Sequence, residues 1–129
     1  MSHTFDVHVY YEDTDLAGIV YYANYLKFIE RARTELVREM GVNQVALKAD
    51  EGVVFAVRRV EADYIAPAKF DDDLTVETAI KAVTGARLVL TQDVKRDATL
   101  LFSSVVTIVA IGENGQPARL PATFRRKIQ

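Results

Sequence analysis

Apolar and polar side chains alternate along several stretches of this chain, and that period of two predicts β-strands. In residues 5–11 the alternation places Phe5, Val7 and Val9 on one side of the first predicted strand. Residues 74–83 and 87–95 alternate in the same way, and residues 100–111 are apolar on both faces. Turns are expected at residues 84–86 and 96–98, because both segments are short and rich in turn-forming residues.

After the first strand the apolar period becomes helical. The positions that share this spacing are Tyr25, Phe28, Ile29, Ala32, Leu36 and Met40. Asn24 is expected to cap the start of the helix, and Gly41 can supply a left-handed residue at its end. The pattern predicts a helix of about four turns. A shorter helical stretch is expected at residues 44–48.

The next strand contains a change of phase. Val53, Phe55 and Val57 share one face, and the apolar face then continues at Val60, Ala62 and Tyr64. A shift of one residue near Arg58 and Arg59 predicts a β-bulge, because a bulge inserts one extra residue into a strand. Pro67 is expected to end this strand.

The predicted order is one strand, one long helix and four strands joined by short loops. Short connections favour antiparallel neighbours, because parallel strands need long crossovers. The fold class is therefore α+β, with the helix packed on one face of a five-stranded antiparallel sheet. Residues 1–129 are expected to form a single domain, since this length suits one domain and no repeat or linker is visible.

Composition excludes several classes of protein. The 129 residues carry a net charge of −2 with both signs scattered, whereas a nucleic-acid-binding protein needs a basic face. No apolar run reaches the roughly 18 residues of a membrane span, and the first residues do not resemble a signal peptide. Cysteine is absent, which excludes disulfides and thiolate metal sites. A cytoplasmic protein is expected, with a short basic tail after Pro121.

Histidine chemistry is poorly supported. The two histidines are His3, expected in a frayed tail, and His8, expected to be a structural or surface residue of the first strand. Neither accompanies a nucleophile motif, so a serine–histidine–acid triad is not predicted. The chain also lacks the glycine patterns that bind phosphates or dinucleotides.

Carboxylates cluster instead at Glu12, Asp13 and Asp15, and three interpretations compete. A calcium loop fails, because Ala17 and Asn24 occupy places where that loop needs oxygen ligands. The acids can also be ordinary turn formers. In the third interpretation Asp15 is catalytic, since it precedes a helix whose first N–H groups lack internal partners and can stabilise an oxyanion.

A family resemblance supports the catalytic interpretation. Residues 11–25 and 30–35 resemble the 4-hydroxybenzoyl-CoA thioesterase family, and especially its YbgC-type acyl-CoA thioesterases. The similarity continues through residues 57–60, 64–68 and 70–72 and covers nearly the whole chain. It implies a hotdog fold, in which a curved antiparallel sheet wraps a long helix.

The same resemblance implies functional roles. Asp15 would be the catalytic carboxylate, acting as nucleophile or general base on an acyl-CoA thioester. The backbone N–H of Tyr22, expected to open the helix, would polarise the thioester carbonyl, and Gly18 would allow close approach of the loop. No metal or redox cofactor is implied. Related proteins pair their sheets, so a homo-oligomer is expected, either a dimer or a homotetramer of dimers with shared sites.

Residues for substrate binding are less firmly indicated. The candidates for the acyl pocket and for the CoA phosphates are Tyr11, Ile19, Val20, Tyr21, Tyr25, Arg58, Arg59 and Arg87. Tyrosines at such positions are more often core residues, and a single arginine is more often solvated. YbgC-type enzymes generally carry histidine where this chain has Tyr22, so the acyl group stays open. The alternative function is a non-catalytic hotdog module that binds acyl-CoA or a protein.

Overall fold

The computed structural model describes residues 2–122 and 125–126, which form one antiparallel sheet and two α-helices. The strands are β1 (Ser2–His8), β2 (Val54–Tyr64), β3 (Asp73–Val83), β4 (Arg87–Arg96) and β5 (Thr99–Ile111). The helices are α1 (Asn24–Glu39) and α2 (Gln44–Glu51), and a 3-10 turn covers Tyr11–Asp13. The predicted order of strands and long helix is confirmed.

The sheet has the order β1-β3-β4-β5-β2, and every neighbouring pair is antiparallel. Strands β3, β4 and β5 follow one another as a meander, whereas β1 and β2 form the two edges. The register between β2 and β5 shifts between Val57 and Arg59, which confirms the predicted bulge. Further register shifts leave Lys81 of β3 and Leu101 of β5 as extra residues opposite β4. Bulges bend the strands that contain them, so they contribute curvature to the sheet.

Helix α1 buries one face, as its period predicts. The buried residues are Tyr25, Phe28, Ile29, Ala32, Leu36 and Val37. At its end Gly41 is left-handed (φ 85°), the N–H of Val42 donates to the carbonyl of Val37 (3.2 Å), and the N–H of Gly41 donates to that of Arg38 (3.0 Å). This is a Schellman motif, in which a residue without Cβ adopts the left-handed conformation at little cost.

The predicted cap at Asn24 is wrong. Ala23 occupies the N-cap position, its backbone is already helical, and no side chain caps the helix. Asn24 is therefore the first helical residue, and its Nδ2 donates to the carbonyl of Asp13 at 2.9 Å. The side chain thus ties the helix to the preceding loop.

The first strand also differs from its prediction, because β1 runs over Ser2–His8 and not over residues 5–11. After His8 the chain makes two further bonds, from the N–H of Val9 to the carbonyl of Asp72 and from the N–H of Asp71 to the carbonyl of Val9, both at 2.9 Å, and then turns. His3 is not in a frayed tail: it pairs with Thr78 in β3, and its Nε2 lies 2.8 Å from a carboxylate oxygen of Glu39.

The core lies between α1 and the inner face of the sheet. Helix α1 lies mainly over β1, β3 and β4, while α2 lies near β2. Within this core Gln92 is fully buried, and its Nε2 donates to the carbonyl of Ile29 and to Thr78 Oγ1, both at 2.9 Å. Its Oε1 accepts from Arg33 at 3.0 Å. These bonds satisfy the buried amide and link helix and sheet.

The basic tail expected after Pro121 lies largely outside the described residues. Among the helices of the described ranges, none combines the length and the apolar character needed to cross a membrane.

Candidate active site

Asp15 lies in a tight loop, residues 14–22, which we call the Asp15 loop. Thr14 and Val20 pair as an isolated antiparallel bridge, and the N–H of Asp15 donates to the carbonyl of Ile19 at 2.9 Å. The N–H of Gly18 donates back to the carbonyl of Asp15 at 3.0 Å. The loop therefore holds the backbone of Asp15 through bonds on both sides.

Gly18 is needed for its backbone conformation. Its φ of 80° lies in the left-handed region, where side chains other than glycine are strained. A Cβ at this position would meet no atom within 4 Å in the described structure, so space does not require glycine in the single chain. The expected role in close substrate approach stays a prediction.

The side chain of Asp15 is exposed and oriented by its own loop. Its Oδ1 accepts from the N–H of Ala17 at 2.9 Å, which is the hydrogen bond of an Asx turn. One carboxylate oxygen is thus fixed on the backbone, and the carboxylate remains accessible from solvent.

A second loop, residues 67–72, supports the Asp15 loop from behind. The N–H of Val20 donates to the carbonyl of Ala68 at 2.8 Å, and Ile19 pairs with Lys69 as an isolated bridge. Ala68 is buried, and its N–H donates to the hydroxyl of Tyr25 at 3.0 Å. Two of the predicted substrate residues, Ile19 and Val20, therefore connect the loop to the rest of the fold.

The start of α1 is held beside this loop through Asp13. The carbonyl of Asp13 accepts from the N–H of Tyr21 and from Asn24 Nδ2, both at 2.9 Å. Tyr22 lies in the turn before α1 and does not open the helix itself, because the helix begins at Asn24. Within the described ranges the N–H of Tyr22 has no acceptor, so this donor is available near the positive end of the helix dipole.

Tyr64 orients the same turn from the end of β2. Its hydroxyl donates to the carbonyl of Tyr22 at 2.9 Å. The sequence analysis assigned no role to Tyr64. Its place as an aromatic residue at the end of an apolar strand face is the signal that could have identified it as a candidate. The contact crosses 42 residues of chain and becomes visible only in the folded structure.

Asp15 and the tyrosines at the turn are close enough to affect one another's ionisation. The hydroxyl of Tyr22, through its hydrogen bond and its charge, and also the carboxylate of Asp15 raise the pKa of Tyr21. The rings of Tyr21 and Tyr22 lie 4.9 Å apart, and the side chain of Tyr22 is 62% exposed. The carboxylate of Asp15 and the phenols of Tyr21 and Tyr22 therefore lie close enough to influence one another, next to the N–H of Tyr22.

Tyr25 occupies the core beneath this surface. It is 3% exposed and stacks on Phe102 with ring centres 5.0 Å apart, while the ring of Tyr64 meets it edge-on at 5.5 Å. Burial raises the pKa of the Tyr25 hydroxyl, which therefore stays neutral. In the single chain these contacts are those of a core residue. Tyr11, in contrast, is highly exposed and its ring edge faces Phe70.

The three arginines proposed for the CoA phosphates do not share one environment. Arg58 and Arg87 line a cavity of about 350 Å³ on the outer side of the sheet, near the loop that contains Gly115. Arg59 instead forms an ion pair with Glu61 at 2.7 Å. Two of the three arginines thus line the same cavity, and the third does not line it.

Residues 2–122 and 125–126 contain no group of three or more histidine or acidic side chains that could hold a metal ion. The arrangement at Asp15 supplies a carboxylate and a backbone donor, which suffice for attack on a polarised carbonyl.

Comparisons with known proteins agree with this geometry. Residues 17–102 match the model of the thioesterase superfamily. The acyl-CoA thioester hydrolase YbgC of Escherichia coli O6:H1 is 47% identical over 120 residues, which span 92% of this chain and 89% of that protein.

Solved structures show the same architecture. A probable thioesterase from Bartonella henselae superposes with a TM-score of 0.89 at 39% identity and covers 94% of this chain and 100% of its own. A variant of 4-hydroxybenzoyl CoA thioesterase, complexed with 4-hydroxybenzoyl CoA, superposes with a TM-score of 0.93 over 99% of both chains at 23% identity. The expected hotdog fold is confirmed. Because the family model covers well over half of the sequence, the chain belongs to the thioesterase superfamily and is a YbgC-like thioesterase.

Proposed function

We propose that this protein hydrolyses an acyl-CoA thioester to the free acid and CoA, with Asp15 as the catalytic carboxylate. The observation that carries the proposal is the exposed, oriented carboxylate of Asp15 beside a helix start where the N–H of Tyr22 has no acceptor among the described residues. The names of the YbgC relatives support acyl-CoA as the substrate class.

The backbone donor stabilises the charge that develops on the thioester carbonyl. The N–H of Tyr22, aided by the dipole of α1, donates to the carbonyl oxygen as it becomes an oxyanion. Tyr64 holds the adjacent carbonyl of Tyr22, so the turn keeps its direction while the reaction proceeds. Preorganised donors of this kind need no rearrangement in the transition state.

Asp15 can act by two balanced routes. As a nucleophile it attacks the carbonyl carbon, the C–S bond breaks, CoA leaves as a thiolate that takes a proton from water, and water hydrolyses the mixed anhydride. As a general base it takes a proton from water while that water attacks the same carbon, the C–S bond breaks, and the proton passes from Asp15 to the departing CoA thiolate. Turnover in ¹⁸O-labelled water tests the nucleophilic route, because label enters the Asp15 carboxylate only when water attacks the aspartyl carbon of a mixed anhydride.

A second copy of the chain would complete the site. Strand β2 is an edge strand, and three of its large side chains are partly exposed in the single chain: Val57, Val60 and Tyr64 are 47%, 38% and 48% exposed. Unpaired edges and exposed apolar surface of this kind favour association. We place two β2 strands side by side in antiparallel order, which gives a dimer, or a tetramer built from two such dimers.

This pairing would bring basic residues to the site. In a symmetric pair, the Tyr64 end of one β2 lies opposite the Val54 end of the partner. Val54 pairs with Ile111, which lines the cavity of Arg58 and Arg87. The partner's Arg58 and Arg87 would therefore lie at the same end of the molecule as Asp15, where guanidinium groups suit the phosphates of CoA.

The proposal is tested by Asp15→Asn, with Glu12→Gln as a matched control on a neighbouring exposed carboxylate. Released thiol is followed with acetyl-, butyryl-, hexanoyl-, palmitoyl- and 4-hydroxybenzoyl-CoA. Loss of the carboxylate is expected to lower kcat by about 10²- to 10⁴-fold, while Glu12→Gln keeps the wild-type rate. Equal rates in Asp15→Asn and wild type would contradict the mechanism. Tight binding of acyl-CoA without thiol release would favour the non-catalytic module.

A further inference from the structure

His8 is held between two carboxylates at the end of β1. Its Nδ1 lies 2.7 Å from an oxygen of Asp73, its partner in the β1–β3 ladder, and its Nε2 lies 2.9 Å from an oxygen of Asp71. Asp71 belongs to the 67–72 loop and has a φ of 73°. A side chain in this left-handed region needs support from its surroundings, although aspartate tolerates it better than most residues.

The 67–72 loop connects this cluster to Asp15. The N–H of Asp71 donates to the carbonyl of Val9 (2.9 Å), and the N–H of Lys69 donates to a carboxylate oxygen of Asp72 (2.8 Å). The same loop receives the Asp15 loop, through the Ile19–Lys69 bridge and the bond from Val20 to Ala68. The carbonyl of Ile19 in turn accepts from the N–H of Asp15.

We infer that His8, when protonated, is a positioning residue: it fixes the 67–72 loop through Asp71 and Asp73, and so makes the placement of Asp15 dependent on pH. A neutral imidazole has one N–H, whereas the protonated ring donates from both nitrogens. Only the protonated form can therefore bond to both carboxylates at once. The effect on activity rests on the proposed function, but the effect on the loop does not.

The charges around His8 give the direction of the pH dependence. The groups that face it are Asp73, Asp71 and the ring edge of Tyr10, whose centre lies 5.0 Å away. Among the described residues no second cation lies within ion-pair distance of Asp71 or Asp73. The hydrogen bonds to Asp73 and then Asp71 raise the pKa of His8 above its ordinary value of 6.5.

A raised pKa in the folded protein means that the stabilisation is complete below pH 6.5 and is lost as the pH rises through the folded value. The 67–72 loop should consequently loosen on the alkaline side of the His8 titration. The carboxylate of Asp15 would then still be present, but its position would be less well fixed.

The first test follows the loop and not the reaction. Amide hydrogen exchange at Val20, whose N–H joins the two loops, is compared in wild type, His8→Gln and the control His3→Gln, together with an NMR titration of the His8 ring. In wild type and His3→Gln the protection of Val20, corrected for intrinsic exchange, should fall as His8 loses its proton. In His8→Gln it should be low and independent of pH. Identical protection curves in His8→Gln and wild type would overturn the inference.

A second variant tests the cause of the shift. Asp71→Asn keeps an acceptor for His8 and a residue that tolerates the left-handed conformation, but it removes one negative charge. The pKa of His8 should fall, and the transition in Val20 protection should move to lower pH with it. A transition that stays in place while the His8 titration moves would contradict the coupling.

Activity gives the third readout. The kcat of wild type should decrease by about threefold to tenfold across the His8 titration with little change in KM, whereas His8→Gln should lack this alkaline decrease. Hydrolysis that depends on Asp15 but has the same pH profile in both proteins would refute the role of His8 and leave the proposed function intact. The expected exchange pattern without any hydrolysis would refute the proposed function and leave the positioning role.

Discussion

The inner faces of β4 and β2 belong to the same sheet but differ in what covers them. On β4, Leu88, Leu90 and Val94 are buried beneath α1. On β2, Val57, Val60 and Tyr64 lie opposite the buried Ile108, Val106 and Phe102 of β5 yet remain partly exposed. The covered side carries the core of the single chain, whereas the open side adjoins the Asp15 loop through Tyr64. Stability and catalysis should therefore respond to substitutions on different strands.

The largest effect on stability is expected on the covered side. Leu90→Ala removes a side chain that is almost fully buried and should lower the free energy of unfolding by about 2–5 kcal/mol. Val60→Ala, a truncation on β2, should lower the free energy of unfolding of the unassembled chain by clearly less, because Val60 is already partly exposed to water. Urea unfolding at low protein concentration measures both, and equal losses would remove the distinction between the two faces.

A charge on the open side should act on assembly. Val57→Glu places a carboxylate in the surface that would pair with a second copy, where an unpaired charge is costly to bury. We expect the dissociation constant of the dimer to rise at least about tenfold, with activity lost at low concentration and circular dichroism unchanged. Light scattering over a dilution series provides the measurement. A wild-type protein that is monomeric at micromolar concentration would refute the shared site.

A smaller effect is expected where the open strand meets the turn. Tyr64→Phe removes the hydrogen bond to the carbonyl of Tyr22 and leaves the ring in place. The loss of one such bond should reduce kcat by about twofold to tenfold, with a minor change in thermal stability. Tyr25→Phe removes the acceptor for the N–H of Ala68 and serves as a comparison in the core. An unchanged kcat in Tyr64→Phe would show that the turn keeps its geometry without this bond.

The smallest effect concerns the exposed arginines. Arg87→Gln should raise KM for acyl-CoA by about twofold to fivefold, since solvent and salt weaken an exposed contact with phosphate. The rate with an acyl-pantetheine thioester, which lacks the nucleotide, should not change. Arg59→Gln is the control, because Arg59 already pairs with Glu61. Equal changes with both substrates would argue against a phosphate contact at Arg87.

Much of the fold could be predicted because it follows local periods. The apolar spacing placed α1 within a residue of its observed end, and the change of phase at Arg58 located the bulge. The end of β1 and the cap at Asn24 were mispredicted because contacts distant in sequence decide them. The first depends on the pairing of β1 with Asp73, and the second on the carbonyl of Asp13.

The candidate site was predictable only in part, for the same reason. Asp15, Gly18 and Tyr22 are close in sequence, so one local motif indicated all three. The support from Ala68 and Lys69 and the bond from Tyr64 join segments more than 40 residues apart, and no local pattern reports them. Arg58 is the extra residue of the bulge and has no partner in the β2–β5 ladder, whereas Arg59 pairs with Thr107, so the two adjacent arginines are placed differently.

The order of the strands has a consequence for how the chain folds. Strands β3, β4 and β5 are joined by short hairpins and can pair as soon as they meet, whereas β1 must find a partner about 70 residues away. Closing long loops costs more entropy, so we expect the meander to form in the folding transition state and both edge strands to join later. Leu90→Ala should then slow refolding, while Val60→Ala should mainly speed unfolding. The strand beside the candidate site would be among the last parts of the molecule to acquire its structure.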